Sequence, residues 1–155
     1  MKDFTTEKDA GGTAARKAWM GLLAQARAAD VLQLWDASDL AADHQWLRVP
    51  EVGGVMVRGR AGATGAAFNL GEMSVTRCSL KLTDGRVGHA MVQGRDKRKA
   101  EVAAICDALM QGADADAVRD AILTPLVDMA QARRAARAAR AAATKVDFFT
   151  MVRGE

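Results

Sequence analysis

A chain of 155 residues fits one domain and is long enough to bury a real core. Half of it is hydrophobic, but aromatics make up only 5% and tyrosine is absent, so the core must be built from Ala, Leu, Val and Met rather than from large anchors. The net charge of +3 excludes the extreme basic bias of a dedicated nucleic-acid protein and tolerates an anionic ligand or an acidic partner surface.

The N-terminal stretch "MKDFTTEKDAGG" has no apolar segment of the signal-peptide kind and reads as a flexible lead-in over residues 1–12, ahead of a single domain at 13–155. No apolar run approaches the roughly 20 residues that span a bilayer, so no membrane partner is expected and the expected location is the cytoplasm. From Thr13, a fair N-cap, the residues Ala15, Ala18, Trp19, Leu22, Leu23 and Ala26 recur at helical spacing. A second helix, "DVLQLWDASDLAAD", puts Leu32, Trp35 and Leu40 near one face after a turn between Arg27 and Val31.

At His44 the period changes to two. "HQWLRV", the cluster Pro50-Glu51-Val52-Gly53-Gly54 and "VMVRGR" predict strand, turn, strand, and "AGATGAAFNLGE" predicts a small-residue loop. "MSVTRCSLKL" sets Thr76, Cys78, Leu80 and Leu82 opposite Val75, Arg77, Ser79 and Lys81. Asp84-Gly85 is a hairpin signal, and "VGHAMVQ" returns as the last strand. Beyond Gly94, Asp96 can cap a helix with Ala100, Ala103, Ala104, Asp107 or Ala108, and Leu109 inward, ending by Gly112. A short helix from Asp114 or Asp116 reaches Leu123, and Thr124-Pro125 starts the last helix, which runs to about Thr144. The expected fold is α+β: a four-stranded antiparallel β-meander flanked by N-terminal and C-terminal helices.

After that helix the chain closes on "VDFFTMVRGE", which holds Phe148 and Phe149, half of its four phenylalanines. Chain ends are usually polar and frayed. Phe148, Phe149, Met151, Val152 and Arg153 are therefore candidate contacts to a partner; the competing reading packs this tail as an extra strand on the chain's own sheet.

Three basic features are candidate anion sites. Arg58 and Arg60 lead into Gly62, Thr64 and Gly65, where glycine lets backbone N–H groups approach an anion and guanidinium matches phosphate oxygens. The Gly-Lys-Ser/Thr ending of a P-loop is missing, and a plain hairpin connection has the same composition. Arg95 and Lys97 begin a helix whose first turn also carries Arg98 and Lys99, against the helix dipole; a bound anion would relieve the conflict, as would Asp96 and a Lys97–Glu101 pair. Arg133, Arg137 and Arg140, with Arg134 beside them, form a stripe that supports an alternative reading as a basic RNA-binding adaptor, though a solvated face explains it as well.

Catalytic sets are missing. His44 and His89 have no partners at ligand spacing, so no metal is expected. Ser74 and Ser79 lack a nucleophile elbow. Cys78 and Cys106 form no CxxC and suit small, reduced core positions. The residues describe a binding or assembly subunit rather than a self-sufficient enzyme.

The motifs "RxGxTGxxFxLGExxVTRC" and "LTDGRVGHAMVQGRDKRKAEVAAICDAL", together with the ending "VDFFTMVRGE", closely resemble the PhnG subunits of the bacterial carbon–phosphorus lyase system, over about residues 14–155. One departure is Ala63, where the resemblance leads one to expect glycine. The resemblance implies a cytosolic subunit of a core complex with PhnH, PhnI and PhnJ. With the ATP-binding-cassette-like PhnL, that system joins a phosphonate such as methylphosphonate to ATP, displaces adenine and leaves ribose 1-methylphosphonate 5-triphosphate. The resemblance assigns the nucleosidase chemistry to PhnI and carbon–phosphorus cleavage to the radical iron–sulfur enzyme PhnJ. It implies no catalytic residue and no cofactor on this chain, ATP being a substrate of the complex, and no nucleic-acid partner.

Overall fold

The structure is a computed structural model that describes residues 6–145, with side chains from residue 12 onward. In chain order it comprises helices α1 (Thr6–Gln25) and α2 (Ala28–Ala37), strands β1 (His44–Arg60), β2 (Ala67–Leu82) and β3 (Val87–Gln93), and helices α3 (Lys97–Leu109), α4 (Ala115–Val118) and α5 (Thr124–Ala143). A π turn over Arg119–Leu123 joins α4 to α5. The strands form an antiparallel sheet in the order β1-β2-β3.

That sheet corrects the expected count: it has three strands, not four. The two strands expected around Pro50-Gly54 are one 17-residue strand, β1, paired with β2 from His44↔Leu82 to Arg60↔Ala67. The turn chemistry is absorbed as irregularity, because the register shifts between Trp46 and Arg48 and again between Arg48 and Glu51. Proline and glycine are tolerated because β1 is an edge strand, where a missing donor need not break the ladder. The real reversal comes at residues 61–66, so half of the expected loop, Ala67 to Glu72, belongs to β2.

Thr13 lies inside α1 rather than capping it. Of the expected lead-in over residues 1–12, residues 6–12 are helical in α1, and residues 1–5 lie outside the described residues. Pro125 lacks an N–H and crowds the carbonyl of Ala121 four residues earlier; the wider π turn accommodates it without ending the helix.

α3 lies across the face of the sheet that carries Thr76, Cys78, Leu80 and Leu82 from β2 and Gly88, Ala90 and Val92 from β3. Every residue from Val102 to Met110 is buried, because α1, α2 and α4 pack against α3 on the sides that the sheet leaves uncovered. Small side chains make this possible. A Cβ on Gly88 would stand 1.9 Å from the carbonyl oxygen of Ala104, so helix and strand touch backbone to backbone there. The alanine-rich composition thus has a structural use: Ala100, Ala103, Ala104 and Ala108 let α3 sit close to its neighbours.

Candidate functional site

Two polar knots fix α1 to the body. The Asp107 carboxylate is fully buried and accepts bonds from Arg16 Nε (3.0 Å) and Nη2 (2.6 Å), Trp19 Nε1 (2.9 Å) and the backbone N–H of His89 (2.9 Å). One carboxylate thereby joins α1, α3 and the outer edge of β3. The bond to Asp107 raises the already high pKa of Arg16. In the second knot, buried Lys99 reaches from α3 to the C-terminal end of α1 and donates to the carbonyls of Ala24 (2.9 Å) and Ala26 (2.6 Å). A cation suits the negative end of a helix dipole. Burial still holds the Lys99 pKa below its ordinary value, against the pull of Asp96.

These knots dispose of much of the basic first turn of α3. Lys99 points inward, Arg98 pairs with Asp36 of α2 at 2.7 Å, and Asp96 caps the helix by accepting from the Lys99 N–H at 2.8 Å. Lys97 is exposed, and Arg95 donates to Ser74 Oγ at 3.4 Å. Asp107 and Lys99 are the two structurally decisive polar residues that spacing alone did not single out. An acid on the inner face of an alanine helix was the available signal for the first.

The remaining anion candidates sit at the far end of the β1–β2 hairpin. Arg60 donates to the Gly65 carbonyl (3.0 Å), and Arg58, Gly59, Arg60, Ala63 and Ala67 line an open hollow of about 560 Å3. Thr64 is exposed in the same turn. Ser74, the partner of Arg95, stands opposite Gly54, and Arg58 and Arg60 lie four and six residues further along β1. At about 3.3 Å per residue that is roughly 13 and 20 Å. The six candidates therefore form two groups: Arg58, Arg60, Thr64 and Gly65 at the tip, and Arg95 with Lys97 at the root of the hairpin.

Two further depressions flank α1. One, of about 420 Å3, is almost wholly apolar and lies between α1 and β3, with Met20, Leu23, Met91 and Val92 among its walls and Arg16 drawn to Asp107. The other, of about 520 Å3, separates α1 from α5 and is rimmed by Arg133, Arg134 and Arg137. Arg133 pairs with Asp30 at 2.6 Å, while Arg134, Arg137 and Arg140 are exposed.

Neither depression holds an acid–base pair poised for chemistry. Burial pushes Cys78 up to about 11 and Cys106 up to about 12, so neither is a thiolate near neutrality. His89 Nδ1 meets Ser79 Oγ at 2.8 Å on the open face of the sheet, with no carboxylate bonded to the ring. His44 lies edge-on to Trp46 and 3.6 Å from Glu101. Among the described residues no group of three or more His, Cys, Asp or Glu side chains could hold a metal ion, and no helix is long and apolar enough to cross a membrane. The tail candidates Phe148, Phe149, Met151, Val152 and Arg153 lie outside the described residues.

What the surface does offer is apolar. Beyond the end of α3 the β1–β2 hairpin continues as an arm that no helix covers among the described residues, exposing Val52, Met56, Phe68 and Leu70 over its two faces; Leu47, Val49 and Met91 are exposed nearer the body. Leu70 is 66% exposed and Val49 62%.

The sequence model of the family described as "Phosphonate metabolism protein PhnG" matches residues 14–154. A curated relative from Rhizobium meliloti (strain 1021), named alpha-D-ribose 1-methylphosphonate 5-triphosphate synthase subunit PhnG, is 43% identical over 155 residues, covering 100% of this chain and 99% of the relative.

Proposed function

The chain belongs to the PhnG family of phosphonate metabolism proteins, and from that footing we propose that it is the PhnG-type subunit of an alpha-D-ribose 1-methylphosphonate 5-triphosphate synthase. The observation that carries the reading is the 43% identity to a subunit so named, end to end in both chains. In this reading the complex transfers a phosphonate such as methylphosphonate to ATP with loss of adenine. The chain is a required, non-catalytic part of the core assembly in the cytoplasm, with PhnI, PhnH and PhnJ-type partners and PhnL for the transferase step. The exposed apolar arm supports a docking role. Arg58 and Arg60 at the tip, and Arg95 and Lys97 at the root, are the cations that would face a phosphate-bearing ligand of the complex. The tail residues Phe148 and Phe149 are further anchors in the same scheme, each costing on the order of 2 kcal/mol of binding when truncated.

Co-expression with the neighbouring PhnI-type subunit tests the reading: the two co-purify, and the isolated chain releases no adenine from ATP. Adenine release by the chain alone, surviving further purification, would sink the non-catalytic role. Failure to co-purify with any synthase subunit would sink the assignment itself.

A further inference from the structure

The two edges of the sheet are treated differently. The β3 edge is closed: Asp107 takes the His89 N–H, and α1 lies alongside. The β1 edge is open among the described residues. Among the described residues no backbone group outside β2 bonds to β1 between Leu47 and Arg60. At its root, Pro50 and two register shifts spoil that edge for pairing, a common protection of natural edge strands. From Glu51 to Val57 the protection lapses. Seven consecutive residues stay in unbroken register with β2, from Glu51↔Arg77 to Val57↔Gly71, without proline. Gly53 and Gly54 within this run leave room for a neighbouring backbone.

The side chains around this edge state what would fit it. Val55 and Val57 point to the face that carries Phe68 and Met73, whereas Met56, Arg58 and Arg60 point to the other. Arg58 has no charge partner among the described residues, and Arg60 is bonded only to the Gly65 carbonyl. Charge opposes a second copy of this chain in the two central registers: antiparallel self-pairing centred on Gly53 or Gly54 sets Arg58 or Arg60 opposite Arg48 of the other copy, and like charges directly opposite are destabilising. The distal edge of β2 is a weaker template. It is kinked by the extra residue Leu70, and Gly94 already bonds the Ser74 carbonyl.

We propose that the open edge of β1 from Glu51 to Val57 is a strand-addition site, which receives an extended segment of a partner subunit with apolar residues on the Val55/Val57 face and acidic residues facing Arg58 and Arg60. Backbone bonds supply the affinity and alternate side chains supply the specificity. The inference rests on the synthase-subunit reading and adds to it the surface and the form of the contact.

Amide hydrogen exchange tests it, comparing the full chain alone with the chain assembled with PhnH, PhnI and PhnJ-type subunits. In a strand, alternate N–H groups point to the partner strand and to the open side. The outward amides between residues 51 and 57 exchange rapidly in the free chain and slow at least tenfold in the complex. Val55→Pro and Met56→Pro supply the second measurement. One of these neighbours directs its N–H to β2 and the other to the open edge. The variant that keeps the wild-type thermal midpoint loses at least tenfold in affinity for the assembly. If the complex forms but those amides exchange as in the free chain, or if protection falls on residues 67–73 of β2 instead, the edge inference fails and the synthase reading stands. If no complex forms with the wild-type chain, the synthase reading fails and this inference falls with it.

Discussion

The body of the molecule and its β1–β2 arm share two strands, yet only the body has a helix laid against them. In the body, β2 alternates cleanly: Thr76, Cys78, Leu80 and Leu82 are buried under α3 while Arg77 and Lys81 face water. Further along the same strands the alternation leads nowhere. Val52, Met56, Phe68 and Leu70 stay exposed, with no helix beneath them among the described residues. The difference teaches that strand pairing alone does not bury apolar surface; a two-stranded ribbon needs a third layer. The body supplies its own layer, and the arm awaits one.

If that contrast is right, damage to the body unfolds the isolated chain and damage to the arm does not. The largest effect is expected at Gly88. An added methyl meets the Ala104 carbonyl at 1.9 Å, and both walls are backbone, so α3 must lift from the sheet. Gly88→Ala should cost about 3 kcal/mol, read as a fall in the urea midpoint, at the top of the usual range for core overpacking. A near-neutral result would mean that α3 does not touch β3 as described.

Next comes Asp107→Ala. It strands the Trp19 indole and the His89 N–H, and removes the acceptor of a guanidinium that is 35% exposed. Water reaches Arg16 in part, so the expected loss is about 3 kcal/mol rather than the full cost of an unpaired buried charge. Lys99→Met follows at about 1–2 kcal/mol, because two carbonyls at the end of α1 lose their donor. It also carries a pH signature. The folded chain holds the Lys99 pKa below the ordinary 10.5, so the unfolded chain keeps that proton to higher pH. Wild-type stability measured relative to Lys99→Met therefore rises with pH in the window below 10.5 and levels off above it. A difference that falls with pH in that window would overturn the assignment.

These residues also mark how far the sequence could be read. β3, the Asp84-Gly85 hairpin and the Asp96 cap were legible because each depends on neighbours in the chain, whereas the helix start expected at Thr124-Pro125 is not one, since the π turn carries the helix through it. The strand count was not. Pro50, Gly53 and Gly54 carry turn chemistry, and only the position of β1 at the sheet edge lets them remain in a strand. Asp107 and Lys99 act on residues 91 and 75 positions away, Arg16 and Ala24, and no local spacing reveals such a pairing. The basic first turn of α3 was visible as an anomaly. Its resolution through Lys99 needed the end of α1 in three dimensions.

On the arm, Val57→Ser should cost the isolated chain about 1 kcal/mol or less, because the side chain is only half-buried before any partner arrives. The urea midpoint checks it. A loss comparable to Asp107→Ala would make the arm part of the cooperative core and dissolve the contrast.

The smallest effect separates the two regions most finely. Ala63 sits at the arm tip with φ 66°, the left-handed region that costs an L-residue roughly 1–2 kcal/mol. This is the position where PhnG-like motifs lead one to expect glycine. Ala63→Gly relieves the strain, but glycine also gains freedom in the unfolded chain, which offsets about 0.4–1 kcal/mol. The net gain is at most about 1 kcal/mol, and where it registers is the informative part. Local opening and global unfolding are separate processes when a segment has few contacts with the rest. If the arm opens by itself, the substitution raises amide protection across residues 52–60 and 67–73 while the exchange of α3 and the global midpoint stay unchanged. If protection rises equally in α3, the arm and the body unfold together, and the exposed apolar arm is held by the body rather than kept ready for a partner.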